Sequence, residues 1–425
     1  MKKKVLASLL SVAMVASMVV GCGNAAAPAA EAPAAEAPAA EEAAPAEEAA
    51  PAEEAAPAEE AAPAEEATDA AAAETPNADA NDKLTGTPFE GVTAKEAYNF
   101  AIDVKSFQST YWQAALKGMD MAKEELGITY DAHGPNSESD IADQVNMINS
   151  DIEAKPAGIG LAACDTTSVI EPLQKAKDAG IPVVCFDTGV DKAPEGSVVA
   201  TVATDNTAAG NVAAENMYKA LKDVIANASA PVRIGEINQD ATALNIQQRG
   251  LGFVDKMIEL IHADGKTVSV EGNEFYVNAA TGADSGDTDV VIEVAVPAQT
   301  TVELCSTEAA TILSKDDTIG VFGSNQTAAE GLLQANDNLD KLGSDAAAGD
   351  VIGVGFDAGS VIKANIADGT MYGAVTQSPL MMGYYALYAL TQAANGDPVQ
   401  DYPTNGYWYD AATMEDPEIA PNLYD

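Results

Sequence analysis

The chain has 425 residues, with 66 Asp and Glu against 21 Lys and Arg, for a formal net charge of −45. So acidic a chain cannot neutralise the phosphates of a nucleic acid, which needs clustered Lys and Arg. Two histidines and four cysteines are too few for a multi-histidine metal site, a repeated CxxC zinc ribbon or a disulfide scaffold.

Lys2, Lys3 and Lys4 precede a mostly apolar stretch from Val5 to Val20, the layout of a secretory leader. The stretch closes on Val19-Val20-Gly21-Cys22, and small residues before a cysteine resemble a bacterial lipobox. That resemblance implies removal of residues 1–21 and a lipid on Cys22. From residue 23 to about 82 the chain is Ala, Pro and Glu with little else, and AAPAEE repeats four times from Ala43 to Glu66. Proline every six residues breaks any helix, and without large apolar side chains no core can form. Residues 22–83 are therefore expected to be a lipidated, solvated tether. It holds 16 acidic residues between 23 and 82, so part of the charge says nothing about a ligand. No later segment reaches the roughly 18–20 apolar residues of a membrane span.

From residue 84 onward strand and helix patterns alternate. Tyr98–Val104 alternates like a strand, and Trp112, Ala115, Leu116, Met119, Ala122 and Leu126 fall at helical spacing before Gly127. Ile159–Ala163 reads as a buried strand, Asp165–Ser168 as helix-capping residues, and Val169–Ala179 as a helix stopped by Gly180. Ile181–Phe186 is the next strand, ending in Asp187, and this βαβ unit demands a parallel sheet. Helices are expected over 207–224, 243–261, 301–313 and 328–333, and strands over 232–237, 290–296, 318–322 and 351–356. The fold class is α/β with two doubly wound parallel halves. Ligands bind such sheets beyond the carboxyl ends of the strands. That places Ser106 to Trp112, Asp165, Asp187, Asn325 and Asp357 at a candidate site.

These stretches resemble the type 1 periplasmic binding proteins, in particular the sugar-binding proteins of ABC transporters. The similarity rests on AYNFAIDVKSFQSTYWQAALKGM, KDAGIPVVCFDTGV, VATDNTAAGNVAAENM, QQRGLGF, TIGVFGSNQTAAEGLL and VIGVGFDAGSVIKANIADGTMYGAVTQSP, in the family's order. It implies two lobes joined by three crossings, one lobe about 95–204 with 378–405 and the other about 205–377 with 406–425. It also implies a non-catalytic protein outside the cytoplasm that needs no cofactor. Such a protein traps a sugar or polyol between its lobes and hands it to the transmembrane subunits of a permease. A lipid-anchored monomer is expected. A sensory module for a signal furanose or a nucleoside is the alternative, with Phe107 as a second aromatic for a base.

A sugar offers apolar faces and a ring of hydroxyls, which suit aromatic rings and fixed carboxylates and amides. By the resemblance, Tyr111 and Trp112 supply the stacking aromatic. Asp187 and Asp357 accept hydroxyl protons from opposite lobes. Asn325 and Gln377 add amide contacts, and Asn206, with Thr204, sits at the first crossing. Two arginines of the family's ribose binders are replaced here by Thr188 and Gln247; Gln247 is counted among the candidate contacts. Gln326 stands where an aspartate is common, and Arg249 is expected to support structure. The acidic turn Asp284–Asp289 lacks the full pattern of a calcium loop. His133 and His262 are expected to have no partners, and Cys164, Cys185 and Cys305 to be buried free thiols.

Overall fold

A computed structural model describes residues 83–424. The leader, Cys22 and the Ala/Pro/Glu tract up to residue 82 lie outside the described residues.

In chain order the elements are β1 (Asn99–Asp103), α1 (Thr110–Leu126), β2 (Thr129–His133), α2 (Ile141–Ala154), β3 (Ile159–Leu161), α3 (Ile170–Asp178), β4 (Val183–Phe186) and β5 (Val198–Thr204). Next come α4 (Asn206–Asn227), β6 (Val232–Ile237), α5 (Leu244–Ala263), β7 (Val268–Gly272), α6 (Glu274–Ala279), β8 (Val290–Ala295), α7 (Val302–Leu313), β9 (Thr318–Gly323) and α8 (Gln326–Leu339). The series closes with β10 (Leu342–Gly343), β11 (Val351–Phe356), α9 (Ser360–Ala367), β12 (Gly373–Thr376), α10 (Pro379–Ala394), β13 (Tyr402–Thr404) and β14 (Tyr407–Tyr409).

The strands form two sheets. One has six strands in the order β13-β5-β4-β3-β1-β2, all parallel. The other has eight, in the order β14-β12-β11-β9-β6-β8-β7 with β10 beside β11. Its pairs are parallel except β12 with β14. The chain passes between sheets three times: from β5 to α4 over Thr204–Asn206, from β12 to α10 over Thr376–Pro379, and from β13 to β14 over Thr404–Tyr407.

Period-two alternation sets both faces of each sheet. In the first, Phe100, Ile102, Val184 and Phe186 pack with α1 and α10, while Ala101, Leu161, Val183 and Cys185 pack with α2 and α3. In the second, Ile234, Ile292, Phe322 and Val354 face α4 and α5, and Ile237, Val321 and Ala374 face α7, α8 and α9. A strand covered on both faces becomes a continuous apolar run, and all six residues of β11 are buried. In α1 the helical spacing holds, and Gly127 ends it at φ 66° with its N–H on Lys123 O. Helices α1 and α10 cross at their glycines. A Cβ on Gly118 would land on Leu380 O, and one on Gly383 on Ala115 O.

Two local expectations change. Asp165 does not cap α3; its Oδ1 accepts from the N–H groups of Thr167 and Ser168, and the helix begins only at Ile170. The short carboxylate is satisfied by its own turn before the helix starts. Both histidines have acidic neighbours: His133 Nε2 lies 3.4 Å from Asp151 Oδ1, and His262 Nε2 lies 2.9 Å from Asp284 Oδ2. Both contacts join a strand or helix end to a distant segment, which residue spacing cannot show. The acidic turn is tied to the strand beside it, since Asp284 and Asp289 accept from the N–H groups of Val268 and Thr267. Cys164, Cys185 and Cys305 are free and buried. Among the described residues no helix is long and apolar enough to cross a membrane.

Candidate functional site

The carboxyl ends of the parallel strands from both sheets converge on one cleft between the lobes. Two aspartates mark equivalent points in it. Asp187 follows β4 and donates its N–H to Val202 O of β5; Asp357 follows β11 and donates its N–H to Val375 O of β12. Both have left-handed backbone, φ 60° and 72°. Aspartate tolerates that region better than most side chains, because its short polar group bonds locally.

Tyr111, Trp112, Asp187, Asn325, Asp357 and Gln377 all line this cavity. Tyr111 Oη donates to Asp187 Oδ1 at 2.6 Å. Its ring meets Trp112 edge-on, with centroids 5.0 Å apart. Trp112 Nε1 donates to Glu138 Oε1 at 3.0 Å. Asn325 is also the N-cap of α8, its Oδ1 accepting from Ala328 N at 3.1 Å. Gln377 donates to Asp357 Oδ1 at 2.7 Å and accepts from Thr204 Oγ1 at 2.7 Å, which joins two crossings to the lobe-two carboxylate.

Asn206 and Gln247 do not line the cavity. Asn206 Oδ1 accepts from Arg249 Nη2 and its amide donates to Thr204 O, at the first crossing. Gln247 turns away and donates to Ala241 O. Phe107 lies on the loop after β1 and is 44% exposed.

Several residues that face the cavity were not singled out from sequence. Lys105 and Glu138 come from the first lobe, Gln239 and Asn245 from the second. Gln239 and Asn245 follow β6, so the strand-end rule could have found them. Lys105 is 1% exposed; its Nζ donates to Asn245 Oδ1 at 3.0 Å and lies 3.6 Å from Asp187 Oδ2. Asn245 Nδ2 completes the triangle on Asp187 Oδ2 at 3.0 Å. Glu138 accepts from Gln239 Nε2 at 2.7 Å across the cleft, and Gln239 in turn accepts from Asn325. Ser109 Oγ donates to Gln326 Oε1 at 2.8 Å, so Gln326 also links the lobes. Arg249 stacks on Phe356 and bonds Ser324 O and Asn206, and its guanidinium lines the cavity as well.

The charges shape one another. Burial opposes the Lys105 ammonium, but Asp187, then Glu138 and Asp240, outweigh it and hold its pKa above the ordinary value. Burial raises Glu138, and Lys105 only partly offsets it. Burial also raises Asp357 against the pull of Arg249 and Gln377. The Tyr111 phenol is pushed well up by burial and then by Asp187, so it stays a donor. With these cross-lobe bonds made, the cavity is about 30 Å³, room for a water or two. A molecule the size of a sugar ring requires the lobes to part and these bonds to be exchanged for bonds to the ligand.

A family model described as a periplasmic binding protein domain matches residues 100–398. The chain belongs to the periplasmic binding protein family. Its fold is the type 1 form, with two sheets and three crossings. A D-allose-binding periplasmic protein of Escherichia coli is 24% identical over 319 residues, 72% of this chain and 88% of that protein. The ribose import binding protein RbsB of Bacillus subtilis is 22% identical, over 72% of this chain and 85% of its own length. Among solved structures, an ABC transporter solute-binding protein from Agrobacterium vitis with bound D-fucose is 27% identical. It superposes with a TM-score of 0.64 over 77% of this chain and 100% of its own.

Proposed function

We propose that this protein captures a sugar or similar polyol between its lobes and delivers it to an ABC import permease. The observation that carries this is the pair Asp187 and Asp357: two buried acceptors on opposite lobes, both met by neutral donors, with the Lys105 ammonium also beside Asp187. Asp187 takes Tyr111, Thr188 and Asn245; Asp357 takes Gln377 and the N–H of Gln326. Hydroxyls can replace such donors one for one, and the aromatic wall of Tyr111 and Trp112 suits the apolar face of a sugar ring. Relatives named for allose and ribose support the same ligand class. In this reading the protein performs no catalysis, and capture rather than chemistry closes the lobes.

The leader, the lipobox-like Cys22 and the acidic tether support lipid anchoring on the outer face of the cytoplasmic membrane. Ligand screening tests the central claim. A ligand at about 100 times its Kd stabilises the folded protein by roughly 2.7 kcal/mol, which a melting experiment detects. If no mono- or small oligosaccharide or polyol raises the Tm, sugar capture is wrong. Metabolic labelling with a palmitate analogue, lost in Cys22→Ala, tests the anchor.

A further inference from the structure

A second space adjoins the cleft. It is a pocket of about 310 Å³ on the crossing side of Asp187, bounded by Gly189, Asp191, Thr201, Gln248 and Asp401. Asp187 and Asn245 line both this pocket and the cleft cavity, and they are hydrogen-bonded to each other at 3.0 Å. What divides the two spaces at this point is therefore a pair of side chains. Asn245 is held there by Asp187 and Lys105 through bonds that a ligand hydroxyl can replace.

We infer that the ligand site continues past the Asp187–Asn245 pair, and that the natural ligand carries a second, uncharged, hydroxyl-bearing ring that enters this pocket. The inference rests on the sugar-binding proposal above and specifies the ligand further. The size fits, since small-molecule sites run from about 300 Å³ upward. The chemistry fits too. Thr201 and Gln248 offer donors and acceptors, and the carboxylates of Asp191 and Asp401 are acceptors with no ion pair among the described residues. No Lys, Arg or His lines the pocket, so a phosphorylated or carboxylated extension is disfavoured. Leu244 and Val190 give it an apolar side for the C–H face of a ring.

Gly189 gives a way to close the pocket without touching the cleft. A Cβ there would meet Thr201 Cγ2 at 3.4 Å and Leu244 Cδ2 at 3.7 Å, ordinary contacts, so Gly189→Leu fills the space from its wall. Gln248→Phe fills it independently from α5. Titration calorimetry on the mature chain would compare D-galactose with lactose and melibiose, and D-glucose with maltose and cellobiose. At least one two-ring sugar is expected to bind about tenfold or more tightly than its single-ring parent. Both filling variants should remove that gain while shifting the Kd of the single ring by less than about threefold. The inference is overturned if every single ring binds as tightly as its two-ring partners. It is equally overturned if both variants weaken single and double rings alike. Binding of single rings without any two-ring gain leaves sugar capture standing and removes only the extended site; binding of no carbohydrate removes both.

Discussion

Asp187 and Asp357 are counterparts: each is the first residue past a central strand of its sheet, each donates its N–H to the next strand, and each has positive φ. The strained backbone turns both carboxylates out of the sheet and toward the same cleft. Their surroundings then diverge. A lysine ammonium, Lys105, stands 3.6 Å from Asp187, whereas Asp357 has neutral donors and the more distant Arg249. The two lobes thus present one charge-paired acceptor and one whose carboxyl is raised by burial.

Asp357→Asn separates affinity from stability. The amide can keep its oxygen on the Gln326 N–H while Gln377 flips and the Thr204 hydroxyl turns. Asparagine also tolerates the left-handed backbone. The melting temperature should hold or rise, since a buried charge is removed. Sugar affinity should fall about 10- to 100-fold, the worth of a bond to a charged acceptor. Asp357→Val puts a β-branched residue at φ 72° and should cost stability by roughly 1–3 kcal/mol. Calorimetric titration with paired melting curves checks this, and equal melting of the two variants would count against backbone strain.

Tyr111→Phe tests the hydroxyl apart from the ring. Loss of the 2.6 Å bond to Asp187 should destabilise the closed protein by about 1.5–3 kcal/mol in urea denaturation. The ring is kept, so ligand binding should survive, whereas Tyr111→Ala should nearly abolish it. Identical affinities for the Phe and Ala variants would show that the ring does not contact the ligand.

Much of the fold was legible because buried strands are apolar throughout. Val183–Phe186 and Val351–Phe356 were placed to within a residue or two. The edge strand Thr129–His133 carries no such run, because its residues are half-buried or exposed and it pairs on one side. The short strands β13 and β14 exist only because the chain returns to both sheets. At the site, aspartates just past strands are visible in the sequence, whereas nothing in the residues around Glu138 marks it. Its role depends on Trp112 and Gln239, and Gln239 is 101 residues away on the other lobe. Lys105 is buried because Asp187 compensates it, a relation between residues distant in sequence.

Gly118→Ala should be strongly destabilising despite alanine's better helix propensity. The added Cβ meets the backbone oxygen of Leu380, which cannot rotate aside, so α1 and α10 must separate. Overpacking of this kind costs about 1–3 kcal/mol or more, against a propensity gain of at most about 1 kcal/mol. Exposed Gly396, at φ 75° with nothing near its Cβ position, is the control for backbone strain alone. Urea melts of Gly118→Ala and Gly396→Ala measure both, and a stabilised Gly118→Ala would refute the close crossing.

Asp103 ends β1 fully buried, and neither carboxyl oxygen has a donor. Burial, followed by the charge of Asp151, pushes its pKa well above the ordinary carboxylate value. Asp151 is itself raised by burial, with His133 pulling the other way and Asp131 adding to the rise. A folded-state pKa above the unfolded one means that the stabilising contribution is complete below the unfolded value. It is lost as pH rises through the folded value. The wild type should therefore lose stability as pH rises from about 4, the ordinary carboxylate value, toward the raised pKa of Asp103. Asp103→Asn removes the titration and supplies an N–H that Asp151 can accept. Its stability should vary less with pH and exceed the wild type's at the alkaline end. Urea denaturation of both proteins across that range decides it, and parallel pH profiles would mean that Asp103 holds no excess proton in the folded state.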